Sequence, residues 1–83
     1  MFYTYMIHSI KIDRFYTGHC QNLDNRLHEH NSAESKATRA GVPWKLVFKK
    51  EFLSRAEAMK EEAKIKARGA SGYLNDIKKA QLG

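Results

Sequence analysis

The stretch Phe2-Tyr3-Thr4-Tyr5-Met6-Ile7-His8-Ser9-Ile10 decides the fold of this 83-residue chain. It is dense in aromatic and β-branched residues, and apolar side chains fall on both of its alternating faces. Such a strand is typical of the middle of a sheet that is covered on both sides. The sequence therefore predicts a central strand over residues 2–10.

A second strand is predicted directly after the first. The polar residues 11–14 turn the chain into residues 15–17, Phe-Tyr-Thr, and Gly18 is expected to stop this strand. The beginning of the chain should therefore form a β-hairpin that brings Tyr5 and Tyr16 into one neighbourhood.

A third strand is predicted after Pro43, over residues 44–49. Alternate positions of this segment carry the apolar side chains of Trp44, Leu46 and Phe48. The positions between them carry Lys45 and Lys49, with Val47 as the exception. We expect a strand with one core face and one mostly basic face.

The segment from Asn22 to His30 predicts a first helix, with Asn22 as its N-cap. Leu23 and Leu27 are four residues apart and form an apolar stripe. Arg26 and His30 have the same spacing, so their side chains should project together. The loop that follows, over residues 31–41, is small, polar and basic, and loops of this length are usually functional or mobile.

Two more helices are predicted in the last third of the chain. Ser54 and Glu57 have the spacing of a capping box and should open a helix that runs to about Arg68. The stretch 69–72, Gly-Ala-Ser-Gly, is expected to end it, and a last helix is predicted over residues 73–82.

Glu62 is the unusual residue of the helix that Ser54 caps. At steps of about 100° around the helix axis, Ala58, Met59 and Ile65 define an apolar arc, and Glu62 falls in its middle. An ionised carboxylate that faces inward needs a cation, because its burial is otherwise costly. Two kinds of partner remain open: a metal ion, or a salt bridge to Arg26 or to a lysine at the rim of the core.

For the other candidate side chains, an ordinary structural role explains their presence as well as a functional role does. Tyr5 and Tyr16 are typical core aromatics, and the Arg26 guanidinium suits phosphate but is also common on a helix surface. Cys20 has no partner at a known catalytic spacing. Three histidines lack any spacing typical of a metal site: His8, His19 and His28.

Composition restricts the function classes. Fifteen Lys and Arg against nine Asp and Glu give a net charge of +6, which favours a polyanionic partner such as nucleic acid or an anionic membrane surface. A single cysteine excludes an internal disulfide and a redox pair, which suits the cytoplasm. No apolar run reaches the roughly 18 residues of a membrane span, and residues 1–10 lack the features of a signal peptide. We expect one cytoplasmic domain without a membrane segment.

Several short motifs, taken in order, resemble the signature of the GIY-YIG nucleases. They are Tyr3-Thr4-Tyr5-Met6-Ile7, Phe15-Tyr16-Thr17-Gly18-His19, Leu23-x-x-Arg26-Leu27-x-x-His30-Asn31, Lys36-x-Thr38-Arg39, Pro43-Trp44-Lys45-Leu46-Val47 and Ser54-Arg55-x-x-Ala58-x-x-x-Glu62-x-x-Ile65-Lys66. The resemblance covers about residues 2–68 and is to the small, single-domain bacterial branch, which is similar to the nuclease domain of the bacterial excision-repair incision subunit. The first motif departs from Gly-Ile-Tyr, and Thr17 stands where Ile or Val is usual.

The resemblance implies an α+β fold, in which a small three-stranded antiparallel sheet is flanked by about three helices. The implied domain covers residues 1–83, with a core over about 2–68 and a C-terminal helix over about 73–82.

The resemblance also implies roles for particular residues. Tyr5 or Tyr16 would bind or deprotonate the attacking water, and Arg26 would stabilise the charge that develops on the scissile phosphate. His30 would assist proton transfer or bind the phosphate. Glu62 would be the sole protein ligand of Mg²⁺ or Mn²⁺.

The function implied in this way is a metal-dependent endonuclease that hydrolyses DNA phosphodiester bonds in repair or recombination. It would act as a monomer or weak homodimer without a small-molecule cofactor. Its candidate DNA contacts are the basic residues Lys36, Arg39, Lys45 and Lys49. Two alternatives remain open: a non-catalytic nucleic-acid-binding module of the same fold, and a structural or protein-partner domain.

Overall fold

A computed structural model describes residues 1–82 of the chain, and Gly83, which the predicted domain range included, lies outside them. The central strand, β1 (Phe2–Ser9), lies between β2 (Arg14–Cys20) and β3 (Trp44–Phe52) and is antiparallel to both. Residues 4–7 of β1 are buried, because both faces of the sheet are covered. The predicted three-stranded α+β fold is confirmed.

Three helices cover the two faces. On one face, α1 (Leu23–Asn31) packs its two leucines against a core cluster that includes Tyr5, Ile7 and Trp44. On the other face, α2 (Arg55–Arg68) accepts a 2.7 Å hydrogen bond at the Ala58 carbonyl from the Thr4 hydroxyl. The last helix, α3 (Ala70–Leu82), packs beside α2. No helix among residues 1–82 combines the length and apolarity needed to cross a membrane.

A β-bulge in β3 explains the exception at Val47. Ile7 of β1 is paired with Leu46, whereas Met6 is paired with Phe48, so Val47 has no partner in the ladder. The extra residue moves Phe48 to the opposite face, where its ring lies 5.3 Å from that of Tyr73 in α3. The prediction that Trp44, Leu46 and Phe48 share one face was therefore wrong.

Gly18 does not stop β2, which continues to Cys20. Gly18 pairs with Tyr5 of β1, and a Cβ atom at this position would lie 2.7 Å from the Tyr5 hydroxyl oxygen. The glycine therefore leaves room for the Tyr5 ring to pass over β2. The prediction that Gly18 ends the second strand was therefore wrong, and the structure gives this glycine a different role.

The boundaries of the last two helices also differ from the prediction. Ser54 caps α2 as expected, accepting a 3.2 Å hydrogen bond from the backbone N–H of Glu57. Gly69 alone separates α2 from α3, with a φ of 90° that favours glycine. The last helix accordingly begins at Ala70, not at residue 73. Met59 is 49% exposed, so it does not belong to the buried arc of α2.

Candidate active site

Tyr5 and His30 form a buried pair between β1 and α1. The Tyr5 hydroxyl lies 2.8 Å from His30 Nε2, and the two side chains are among the most buried of the described residues. Burial raises the pKa of the Tyr5 phenol, nearby Tyr16 raises it further, and Arg26 lowers it in part. Tyr5 is therefore protonated at neutral pH.

Thr38 holds the other side of the His30 ring. Its hydroxyl lies 2.8 Å from His30 Nδ1, and its carbonyl accepts a hydrogen bond from the Trp44 indole N–H. Burial lowers the pKa of His30, and the Arg26 charge lowers it further. In a neutral imidazole one nitrogen donates and the other accepts, so a continuous chain runs from Tyr5 through His30 to Thr38.

Tyr16 lies on the other side of His30, with the two ring centroids 5.0 Å apart. It belongs to β2, an edge strand of the sheet, and it is only partly buried. Tyr16 also raises the pKa of Lys66 on α2, so its hydroxyl lies within electrostatic reach of that helix. Of the two predicted tyrosines, Tyr16 is the one that solvent reaches.

Arg26 lies close enough to the buried pair that its positive charge lowers the pKa of both Tyr5 and His30. Its side chain is 45% exposed, and its Nε is 3.6 Å from a carboxylate oxygen of Glu29. An exposed ion pair of this kind contributes little, so the guanidinium is available to an anion.

Glu62 projects from α2 toward β2 and is 18% exposed. His19 Nδ1 donates to one of its oxygens at 2.6 Å, and Lys66 Nζ donates to the other at 2.7 Å. Burial raises the pKa of the Glu62 carboxyl, but the hydrogen bonds from Lys66 and His19 outweigh this effect, so the net pKa is lowered. Glu62 is thus ionised, and one of its partners is the exposed Lys66 ammonium.

The two faces of the sheet meet at the edge formed by β2. Tyr5 points over Gly18 toward this edge from one face, and Glu62 approaches it from the other. Glu62 raises the pKa of Tyr5, so the two groups interact electrostatically around the strand. Direct contacts thus bring three of the predicted site residues together near the β2 edge: Tyr5, Tyr16 and His30. Arg26 and Glu62 lie within electrostatic reach of Tyr5, with Glu62 on the opposite face of the sheet.

The donor set around Glu62 limits the kind of metal site that fits. No group of three or more His, Cys, Asp or Glu side chains suitable for a metal occurs among residues 1–82. A cage of protein ligands is thus absent there, but a hydrated ion held by one carboxylate fits the chemistry of Mg²⁺. One oxygen of this carboxylate is occupied by the ammonium of Lys66, which lies four residues further along the same helix.

The predicted DNA contacts are all exposed but do not form one row. Lys45 pairs with His8 and Lys49 pairs with Tyr5, so the bulge in β3 places these two lysines on opposite faces of the sheet. Lys36 lies in the loop that follows α1, and Arg39 begins a short 3-10 helix, Arg39–Gly41, in the same connection to β3.

Sequence reasoning missed His19 and Thr38 as neighbours of the site. His19 received no predicted role because it has no spacing typical of a metal site, and the predicted second strand ends before it. Had β2 been extended, its alternation would have placed His19 on the face that α2 covers. No local pattern predicts the contact of Thr38 with His30, since the loop conformation decides it.

Comparisons with known proteins identify the family and several relatives of this chain. Residues 1–75 match the family described as the GIY-YIG catalytic domain. A UPF0213 protein from Streptococcus agalactiae is 39% identical over 64 residues, which cover 76% of this chain and 73% of that protein. A UPF0213 protein from Oceanobacillus iheyensis is 40% identical over 52 residues, but these span only 60% of its length.

A solved structure has the same fold. The solution NMR structure of a UPF0213 protein from Bacillus halodurans matches with a TM-score of 0.57 and 30% sequence identity. The match covers 94% of this chain and 84% of that one, so it includes the sheet and the helices that carry the candidate site.

Proposed function

Because the chain belongs to the GIY-YIG catalytic domain family, a family of the nuclease type, we propose that it is a metal-dependent endonuclease that hydrolyses DNA phosphodiester bonds. The observation that supports this best is the proximity of phenol, guanidinium and carboxylate groups around the β2 edge. Metal-assisted hydrolysis of a phosphodiester uses a group that binds the attacking water, a cation beside the phosphate and a ligand for the metal.

Tyr16 is the proposed contact of the attacking water. It is only partly buried on an edge strand, whereas Tyr5 is 1% exposed and hydrogen-bonded to His30. A group that handles the water must reach both the water and the phosphate. We therefore assign the water to Tyr16, while Tyr5 remains protonated and supports the site from below.

His30 acts in this proposal as a positioning residue. Both of its ring nitrogens are already hydrogen-bonded inside the protein, and the side chain is 2% exposed. These contacts favour a role in holding Tyr5 over direct binding of the phosphate, which the resemblance also allowed.

Arg26 is the proposed cation beside the scissile phosphate. Its guanidinium is exposed next to Tyr5 and has only a weak ion pair to Glu29. The planar fork of N–H donors matches two phosphate oxygens and stabilises the charge that develops during hydrolysis.

Glu62 is the residue that would hold the metal. A divalent ion such as Mg²⁺ or Mn²⁺ supplies, when bound, positive charge that polarises the phosphate and acidifies a water. The carboxylate is ionised, as a ligand must be, and His19 orients it through a 2.6 Å hydrogen bond. For a metal to bind, the Lys66 ammonium would have to move away from the Glu62 oxygen that it contacts. Lys66 is exposed on the surface of α2, so the structure allows this movement.

The same ion pair favours one alternative. Both Glu62 oxygens are hydrogen-bonded within the protein, as in a structural salt bridge. A nucleic-acid-binding module of this fold that does not cut would keep the basic surface and use Glu62 only to fasten α2 to β2.

Incubation with DNA in Mg²⁺ or EDTA tests the proposal. Single-stranded, duplex and branched DNA should be compared, since the predicted role in repair or recombination favours branched substrates. We expect cleavage in Mg²⁺ that EDTA abolishes and that Glu62→Gln reduces by at least about a hundredfold. Glu34→Gln, which removes the same charge from an exposed loop position, is the matched control and should cut normally. DNA that is bound but never cut would support the binding module instead.

A further inference from the structure

A polar cleft of about 340 Å³ opens beside the candidate active site, between the start of α1 and the start of α2. Its lining begins at His19, which contacts Glu62, and includes Arg26 and Glu29. Arg55, the first residue of α2, closes the far side. The cleft thus shares His19 and Arg26 with the surroundings of the candidate site, and Glu62 is not part of its lining.

The charges of the cleft favour an anion. Two guanidinium groups line it against a single carboxylate, that of Glu29. This carboxylate is already engaged, since it lies 3.6 Å from Arg26 Nε and accepts a 3.3 Å hydrogen bond from the Asn25 side-chain amide. The cleft therefore carries a net positive charge next to side-chain amides, and such lining suits phosphate oxygens.

Arg55 has no part in the hydrolysis proposed above. Its guanidinium lies over the Phe2 ring, 5.1 Å from the ring centroid, and this stacking holds it in place. Within residues 1–82 it forms no ion pair with a carboxylate. An oriented and unpaired guanidinium is prepared to bind an anion at little cost in side-chain entropy.

We propose that this cleft binds a backbone phosphate of the nucleic-acid strand next to the one that is cut, with Arg55 as the specific contact. The proposal rests on the proposed nuclease function, because it places the scissile phosphate at Arg26 and Glu62. The cleft is open to solvent, so a strand passes through it, and its contacts are to the backbone and independent of base sequence.

Binding of a fluorescent single-stranded oligonucleotide in EDTA, measured at several salt concentrations, tests the cleft without cleavage. We expect Arg55→Gln to weaken binding and to reduce the magnitude of the slope of log affinity against log salt by about 0.7, the value for one lost phosphate contact on a single strand. Lys60→Gln removes the same charge from an exposed position of α2 beside a different cleft and should change the slope much less. Equal slopes for the two variants would overturn the proposal.

Two further arms identify the source of the phosphate and separate this proposal from the nuclease function. A methylphosphonate oligonucleotide of the same sequence lacks the charges and should bind wild type and Arg55→Gln alike. If a free deoxynucleoside monophosphate binds as tightly as the strand, and this binding depends on Arg55, the proposal that the cleft binds a strand is wrong.

An Arg55-dependent salt slope without Mg²⁺-dependent cleavage would support the phosphate-binding cleft and refute the nuclease function. Cleavage with no effect of Arg55 on binding would do the reverse.

Discussion

The Tyr5 hydroxyl and His30 Nε2 lie 2.8 Å apart although 25 positions separate the two residues in the chain. The phenol belongs to β1 and the imidazole to α1. The buried Thr38 hydroxyl forms a hydrogen bond with Nδ1, the other nitrogen of the His30 ring. Among residues 1–82, no buried side-chain N or O atom lacks a hydrogen-bond partner. Removing one side chain of the hydrogen-bonded series Tyr5, His30 and Thr38 would therefore leave a buried polar atom of its neighbour unpaired. Disturbing one member should therefore affect both stability and the site.

Tyr5→Phe should lower the free energy of unfolding by about 1–3 kcal/mol, because it leaves a buried His30 nitrogen without a partner. Chemical denaturation measures this change. Tyr16→Phe removes a hydroxyl from a partly exposed position and should cost less than about 0.5 kcal/mol. If Tyr5→Phe is as stable as wild type, the hydrogen bond has no structural weight.

Stability should fall as the pH drops below about 6.5, the ordinary pKa of histidine. Burial lowers the pKa of His30 in the folded protein, so the unfolded chain binds the proton more readily. The contribution of neutral His30 is complete above the unfolded pKa and is lost as the pH falls toward the folded one. Denaturation at pH 7.5, 6.5 and 5.5 checks the trend.

An NMR titration of the histidine ring protons assigns this effect. The His30 signals should titrate below about 6.5, the ordinary value for histidine, because burial lowers the pKa of His30. A His30 that titrates at or above the ordinary value would contradict the buried, neutral state.

Gly18→Ala should destabilise the protein and suppress cleavage. A Cβ atom there would lie 2.7 Å from the Tyr5 hydroxyl oxygen, so the Tyr5 ring must move away from His30. Gly72→Ala in α3 is the contrasting variant, since the new methyl meets only the end of the flexible Arg68 side chain. This second change should raise stability by about 0.5–1 kcal/mol through helix propensity. Thermal or chemical unfolding of both variants distinguishes the two cases.

Lys66→Gln should strengthen Mg²⁺ binding by about two- to fivefold. The Lys66 ammonium lies 2.7 Å from a Glu62 oxygen and competes with the ion, and an exposed ion pair is worth about 0.2–1 kcal/mol. Isothermal titration or NMR titration with Mg²⁺ alone measures the affinity without reference to activity.

Lys64→Gln provides the control for this substitution, because it removes the same charge from an exposed position on the same helix. Unchanged or weaker Mg²⁺ binding in Lys66→Gln, relative to this control, would show that Lys66 does not compete with the ion for Glu62.

Local patterns predicted much of the fold and of the site. The apolar stretch of β1, the caps at Asn22 and Ser54 and the inward position of Glu62 all depend on neighbours within a few residues along the chain. Such short-range preferences are readable because strand alternation and helix periodicity follow from backbone geometry.

The sequence by itself thus determined the order of elements, the central strand and the residues that resemble the family signature. Only the tertiary structure decided the bulge at Val47, the space that Gly18 leaves for Tyr5, and the contacts of His19 with Glu62 and of His30 with Thr38. These features join segments that are distant in sequence. Periodicity states which way a side chain points relative to its own element, but the packing of one element on another decides what that side chain meets.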